Sequence, residues 1–199
     1  MQTVAGLDPS LTSFGMCLYD LDTGNVRTAI ASDKTPATAL ADRLGRYERI
    51  TAEVLGFLPR GGSVDIPPYP RLVAIEGYSY NSKGRGVFDR LEFGGILREV
   101  LVNDYQYPLI EVPPALLKKF IIGKGGGKGI DKTAMALAAY KRYGVEFATS
   151  DEVDAYGLAR LAACLVGAEQ PATTFQREVI EKLRSMTKRP AGGATCERK

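Results

Sequence analysis

The sequence predicts one α/β domain built on a five-stranded mixed sheet with helices on its flanks. Two observations support this fold class: three short apolar segments separated by turn residues open the chain, and strand-like and helix-like patterns then alternate. The opening segments predict an antiparallel β-meander. A length of 199 residues suits one domain, which we place at 1–170. Residues 171–199 are interpreted as an extension, partly helical and then a disordered basic tail.

Each strand is predicted from a short apolar run bounded by turn residues. The first run ends in Asp-Pro, and Pro9 cannot continue a central ladder. The turn between the second and third strands is Asp22-Thr23-Gly24-Asn25. The five strands are expected at 3–8, 13–20, 26–32, 72–76 and 108–112.

Helices are predicted where apolar residues recur at a spacing near 3.6. The expected helices span 38–58, 87–104, 114–120, 132–143, 151–166 and 174–186. Thr149 and Glu152 have the spacing of a capping box for the fifth helix. The helix at 87–104 is apolar on two sides, which predicts two packing partners. Gly94 and Gly95 within it each cost about 1 kcal/mol against alanine unless close packing compensates.

Composition excludes several kinds of chemistry. The chain has no histidine, which rules out His-based triads, His zinc ligands and imidazole acid–base catalysis. Cys17, Cys164 and Cys196 form no C-x-x-C pair, so neither a zinc site nor a disulfide framework is indicated. The start of the chain does not resemble a signal peptide, and no stretch approaches the roughly 18 apolar residues of a membrane span. A cytoplasmic location is therefore expected, with no membrane partner.

Positive charge is clustered although the net charge is only +3. One cluster contains Lys118, Lys119, Lys124, Lys128, Lys132, Lys141 and Arg142, and the last segment of the chain adds Arg184, Lys188, Arg189, Arg198 and Lys199. Such clusters are typical of polyanion binding, although an ordinary solvated surface explains the charge alone equally well.

Four acidic residues lie at positions where an apolar, strand-like or helix-like pattern begins or ends. Asp8 and Glu76 end strands, and Asp151 and Asp154 open a helix on one face at spacing i, i+3. Singly, each is explained as a turn former or a partner of the helix dipole. Brought together they would repel one another, and a divalent cation would relieve that repulsion. Oxygen ligands favour Mg²⁺ or Mn²⁺ over zinc, and two ions about 4 Å apart suit phosphodiester hydrolysis without histidine.

Four segments resemble the motifs of the RuvC-type Holliday-junction resolvases, in order and over most of the chain. They are GLDPSLTSFG at 6–15, VAIEGYSY at 73–80, LKKFIIGKGGGKGIDKTAM at 117–135 and DEVDAYGLARLA at 151–162. The order of predicted strands and helices is also that of the RNase H-like fold. Single motifs of this kind are weakly specific, whereas four at matching spacing are strongly specific.

The resemblance implies an RNase H-like, Mg²⁺-dependent homodimer that resolves four-way DNA junctions by paired symmetric nicks, leaving 5′-phosphate and 3′-hydroxyl ends. It implies two ions per site, with Mn²⁺ able to substitute. The implied metal ligands are Asp8, Glu76, Asp151 and Asp154, with Lys132 as a further catalytic residue. The implied DNA contacts are Lys118, Lys119, Lys124, Lys128, Lys132, Tyr78, Tyr80, Lys83 and Arg85. The helix at 87–104 is the candidate dimer interface.

The chain departs from the family pattern at several points. The aromatic residue that often follows the second acid by three positions is replaced by Ser79, flanked by two tyrosines that either stack on an unpaired base or fill a surface groove. The proline-rich loop at 59–71 and the extension after 170 are also atypical. Phage-encoded members vary in this way, which is compatible with a phage or prophage origin.

Three alternative functions stay open. A broader nuclease would also cut flaps, forks and three-way junctions. A junction-binding protein without catalysis would keep the basic surface alone. An ATPase of the actin or sugar-kinase type would need a second lobe, and GKGGGKG lacks the spacing of a P-loop.

Overall fold

The computed structural model describes residues 2–60, 69–78, 86–126 and 132–187. Its five strands are β1 (Thr3–Asp8), β2 (Phe14–Asp20), β3 (Val26–Ala31), β4 (Val73–Glu76) and β5 (Leu109–Val112). They form one sheet in the order β3-β2-β1-β4-β5. The first three strands pair antiparallel, whereas β4 lies parallel to both β1 and β5. The predicted mixed sheet, with its opening meander, is confirmed.

Six helices cover the sheet in the described parts of the chain. They are α1 (Leu40–Phe57), α2 (Gly86–Glu99), α3 (Pro114–Ile122), α4 (Lys132–Tyr143), α5 (Ser150–Leu165) and α6 (Thr174–Thr187). The predicted single helix at 87–104 differs at its end, where Val100–Asp104 widens into a π-helical turn.

Local sequence signals explain where several helices begin and end. Pro114 occupies the first turn of α3, where its missing N–H leaves no helical bond unmade. Gly123 ends that helix with φ 93°, a left-handed conformation that favours glycine. Before α5, the Thr149 hydroxyl accepts a hydrogen bond from the Glu152 N–H at 3.2 Å. The Glu152 carboxylate in turn accepts one from the Thr149 N–H at 2.9 Å. The predicted capping box is confirmed.

The core lies on both faces of the sheet because successive strand residues point to opposite sides. Val4 packs into the cluster beneath α3, α4, α5 and α6, whereas its neighbour Ala5 packs into the cluster beneath α1 and α2. Helix α5 runs over the centre of its face, and Ala155, Leu158, Ala159 and Ala162 are completely buried.

Helix α6 belongs to the same core as the preceding elements. Its Val179, Ile180 and Leu183 are buried in the cluster on the α5 face. The Gln176 side chain, 2% exposed, donates hydrogen bonds to the Phe120 carbonyl at 3.3 Å and the Tyr143 hydroxyl at 2.9 Å. The domain boundary that we placed at residue 170 stays a prediction. The predicted disordered tail also stays a prediction, because residues 188–199 lie outside the part of the chain that the structure describes.

No helix in the described ranges is both long and apolar enough to cross a membrane.

Candidate active site

The first two acidic residues end adjacent parallel strands. Leu7 of β1 is in register with Ile75 of β4, so Asp8 and Glu76 both leave the sheet at the same edge. Asp8 is only 9% exposed. A buried, charged side chain at a strand end is uncommon without a partner, which marks this edge as a candidate site.

Two glycines let α5 approach this edge unusually closely. A Cβ atom on Gly6 would lie 1.9 Å from the carbonyl oxygen of Ala155, and one on Gly15 would lie 2.1 Å from that of Asp151. Gly15 is also the register partner of Asp8 across β1 and β2. The close contact therefore brings the N-terminal part of α5, which carries Asp151 and Asp154, beside Asp8.

The electrostatics show that Glu76, Asp151 and Asp154 each lie close enough to Asp8 to raise its pKa. The pKa of Asp8 is raised well above its ordinary value, first by burial and then by the negative charge of Glu76. This pKa is raised further by the charge of Asp154, by a side-chain hydrogen bond between Asp8 and Glu76, and by the charge of Asp151. Burial also raises the pKa of Glu76, against the opposing effects of the Asp8 hydrogen bond and the charge of Lys118.

The donor atoms suit a hard divalent cation, since they are all carboxylate oxygens and their mutual repulsion would be relieved by positive charge. Within the described ranges, however, no three acidic, histidine or cysteine side chains are already spaced to hold one ion. The chemistry of the donor set fits a metal, and its side chains would have to draw together around it.

Ser13 is a residue of the site that the sequence motifs did not single out. Its hydroxyl donates a hydrogen bond to Oδ2 of Asp151 at 2.5 Å. Ser13 stands two residues before Gly15, the register partner of Asp8, so the pairing of β1 with β2 is what brings it to the site.

The predicted DNA contacts other than Tyr78 fall into four groups. Lys118 lies close enough to Glu76 for its charge to lower the pKa of that carboxyl. Lys119 instead forms an ion pair with Glu178 of α6, with Nζ to Oε2 at 2.6 Å. Lys124 is exposed. Outside the described residues lie Tyr80, Lys83, Arg85 and Lys128, together with the side chain of Lys132.

Tyr78 lies against α2 and lines a cavity beside Glu76. One face of its ring is covered by the guanidinium of Arg98, with Cζ 4.4 Å from the ring centroid. The cavity has a volume of about 250 Å³, and its wall also includes Pro9 and Arg90. The described side chain thus fills a groove on α2, and base stacking by Tyr78 stays a prediction.

Comparison with solved structures identifies the fold of this chain. No protein-family model matches the chain, and no curated protein sequence matches it. A structure of Thermus thermophilus RuvC matches with a TM-score of 0.57 at 22% identity, covering 85% of this chain and 99% of that one. T. thermophilus RuvC in complex with a Holliday junction substrate matches with a TM-score of 0.58 at 20% identity, covering 86% and 99%. The fowlpox virus Holliday junction resolvase is more distant, with a TM-score of 0.46 and 9% identity over 83% and 99%. The chain has the RuvC fold, as the motifs predicted.

Proposed function

We propose that this protein is a divalent-metal-dependent endonuclease that cleaves four-way DNA junctions. One observation carries the proposal: Asp8, Glu76, Asp151 and Asp154 come from three separate elements and meet at one edge of a RuvC fold. A buried cluster of like charges is unfavourable for stability, so its presence favours a functional explanation. One structurally similar protein is a RuvC in complex with a Holliday junction substrate. A four-way junction is therefore the first substrate to test.

Bound Mg²⁺ or Mn²⁺, two ions in our proposal, would activate water and stabilise the leaving oxygen of a phosphodiester. The chain's own residues prepare the site for them. Asp8 and Glu76 present carboxylates from rigid strand ends, and Ser13 orients one oxygen of Asp151. Lys118, beside Glu76, supplies positive charge at the edge where a backbone phosphate would lie. The products are proposed to carry 5′-phosphate and 3′-hydroxyl ends.

We propose a homodimer formed through the face of α1 and α2. An apolar groove of about 360 Å³ runs between Leu44 and Leu55 on one side and Ile96 and Val100 on the other. Two large apolar side chains that line this groove, Leu44 and Ile96, are exposed, and so is Leu40 one helical turn before Leu44. A patch of this kind favours a protein partner. A second copy fits the substrate, because a four-way junction has approximate two-fold symmetry and paired nicks need two sites.

The remaining DNA contacts are proposed on the same edge, through the exposed Lys124 and the basic segment around it. Lys132 is proposed as a catalytic lysine, and Tyr78, Tyr80, Lys83, Arg85, Lys119 and Lys128 as DNA contacts. For Lys119, junction DNA would have to displace the carboxylate of Glu178. We place the activity in the cytoplasm of a bacterial cell or a phage-infected host.

The test uses a labelled four-way junction incubated with the full chain in Mg²⁺, in Mn²⁺ and in EDTA. We expect symmetric nicks with either metal and none in EDTA. Asp8→Asn is expected to abolish cleavage while leaving junction binding in EDTA largely intact, because a ligand is lost but the basic surface remains. Glu53→Gln, which alters an exposed glutamate on α1, serves as the matched control and should cleave normally.

Two outcomes would contradict the proposal. Near-normal cleavage by Asp8→Asn would remove the carboxylate assignment, and junction binding by the wild type without nicking in either metal would indicate a non-catalytic binding protein. Equal cleavage rates on four-way, three-way and flap substrates would show that the enzyme is a broader branched-DNA nuclease and not a strict junction resolvase.

A further inference from the structure

We infer that Arg98 of α2 is a positioning residue, which fixes the main chain of Glu76 and the ring of Tyr78 beside the carboxylate cluster. This inference rests on the proposed nuclease function and deepens it, since it names a residue that neither the motifs nor the fold comparison indicates.

The guanidinium of Arg98 contacts three different elements at once. Its Nη2 donates a hydrogen bond to the carbonyl oxygen of Glu76 at 2.8 Å, and its Nη1 donates one to the carbonyl of Gly94 at 2.9 Å. Its Nε pairs with the carboxylate of Glu111 on β5. The side chain is only 14% exposed. All three nitrogens are therefore occupied, and the planar fork is held in one orientation.

The same group holds Tyr78. The guanidinium covers one face of the Tyr78 ring at 4.4 Å, a cation–π contact that is stronger when shielded from water. Gly94 makes room for this stack, because a Cβ atom there would lie 2.8 Å from both Cε1 and the hydroxyl oxygen of the ring. The adjacent Gly95 has nothing within 4 Å of its added Cβ. Of the glycine pair, only Gly94 is needed for close packing.

The position of these contacts gives Arg98 its role. Glu76 is the last residue of β4, and the following Gly77 N–H still bonds to Val112 of β5 at 2.9 Å. On its other side, the main chain at 76 is held by Arg98. A side chain that fixes the backbone of a proposed metal ligand acts on metal binding indirectly, and loss of such supporting contacts typically costs about 10–100-fold in metal affinity or activity.

The experiment compares Arg98→Gln, Arg98→Lys and the control Glu99→Gln in the full chain. Mn²⁺ affinity without DNA is measured by electron paramagnetic resonance, alongside junction cleavage at a series of Mg²⁺ concentrations. Arg98→Gln should weaken Mn²⁺ binding about 10-fold or more and shift the Mg²⁺ dependence of cleavage in the same direction. Arg98→Lys keeps one donor and the charge, so it should recover part of the loss. Glu99→Gln alters an exposed glutamate beside Arg98 on α2, leaves the contacts of Arg98 in place, and should match the wild type.

A second variant covers the case in which Arg98→Gln fails to fold. Gly94→Ala keeps the arginine, but its added Cβ would lie 2.8 Å from the Tyr78 ring and 3.0 Å from Nη1 of Arg98. It should displace both groups and weaken Mn²⁺ binding in the same direction. A folded Arg98→Gln with wild-type Mn²⁺ affinity and Mg²⁺ dependence would overturn the inference while leaving the nuclease proposal intact. If the wild type neither binds Mn²⁺ nor nicks DNA, the proposed function fails and this inference fails with it.

Discussion

The two faces of the sheet differ in how tightly they are packed and in what they leave uncovered. On the α5 face, helix backbone meets strand backbone, and Gly6 and Gly15 leave no space for even one additional carbon atom. On the α1–α2 face, the exposed Gly56 and Gly95 have open space around their added Cβ atoms, and Leu44 and Ile96 are exposed, although Gly94 packs closely on Tyr78. The tight face sets the geometry of the carboxylates, whereas the loose face leaves apolar surface for a partner.

The largest effect on stability is expected from Gly6→Ala, which places a methyl group where β1 contacts α5 on the tight face. The added Cβ would also lie 2.6 Å from the backbone nitrogen of Ala159, and helix backbone cannot yield as a flexible side chain can. We expect a loss of about 3 kcal/mol or more in the free energy of unfolding, measured by urea denaturation. Gly56→Ala on α1 is the control and should cause no loss. Similar stability of both variants would contradict the comparison.

A charge on the loose face should separate the subunits. Ile96→Glu is expected to weaken dimerisation by at least about 10-fold, since a buried, unpaired carboxylate at the contact costs 1.4 kcal/mol or more. Sedimentation equilibrium measures the dimer dissociation constant. Leu137→Glu alters a comparably exposed leucine on α4 and should leave the dimer unchanged. If the wild type is monomeric, or if both variants behave alike, α2 is not the interface.

Close packing on the tight face should make the metal-free carboxylate cluster unfavourable for stability. Because burial and neighbouring charges raise the pKa of folded Asp8 above its unfolded value, the folded state binds more protons between those two values. Stability of the metal-free protein should therefore fall as pH rises from about 4 through the raised pKa. Asp8→Asn removes this penalty.

The measurement is the Tm of both proteins in EDTA between pH 4 and pH 8. Asp8→Asn should melt several degrees higher at pH 8, given roughly 2–4 °C for each kcal/mol in a domain of this size, and the gap should narrow toward pH 4. Adding Mg²⁺ should raise the Tm of the wild type more than that of the variant. An equal or lower Tm for Asp8→Asn in EDTA would mean that the cluster is not under repulsive strain.

The smallest effect is expected from Gly95→Ala. With nothing within 4 Å of the new methyl group, only helix propensity changes, and the chain should gain about 0.5–1 kcal/mol. The variant is made in an Ile96→Glu background, so that subunit association does not contribute, and is measured by urea denaturation. A loss of stability would show that the loose face is packed more closely than the structure indicates.

Local sequence patterns were sufficient to predict much of the secondary structure of this protein and the positions of its acidic residues. The meander, the Thr149 capping box and the strand-end positions of Asp8 and Glu76 all follow from neighbouring residues, because hydrophobic period, turn chemistry and helix caps act within a few positions. The same reasoning could not find Ser13 or Arg98. Ser13 meets Asp151 across 138 residues and Arg98 meets Glu76 across 22, and no local period records either contact.

The amino-acid order alone determined which segments become strands and helices, and where the four acids stand on them. Tertiary structure alone decided that β4 inserts beside β1, that α5 lies against Gly6 and Gly15, that Lys119 pairs with Glu178 and that α6 joins the core. The physical reason is range: secondary structure is set by near neighbours, whereas register, backbone clearance and ion pairing depend on which distant surfaces fit together.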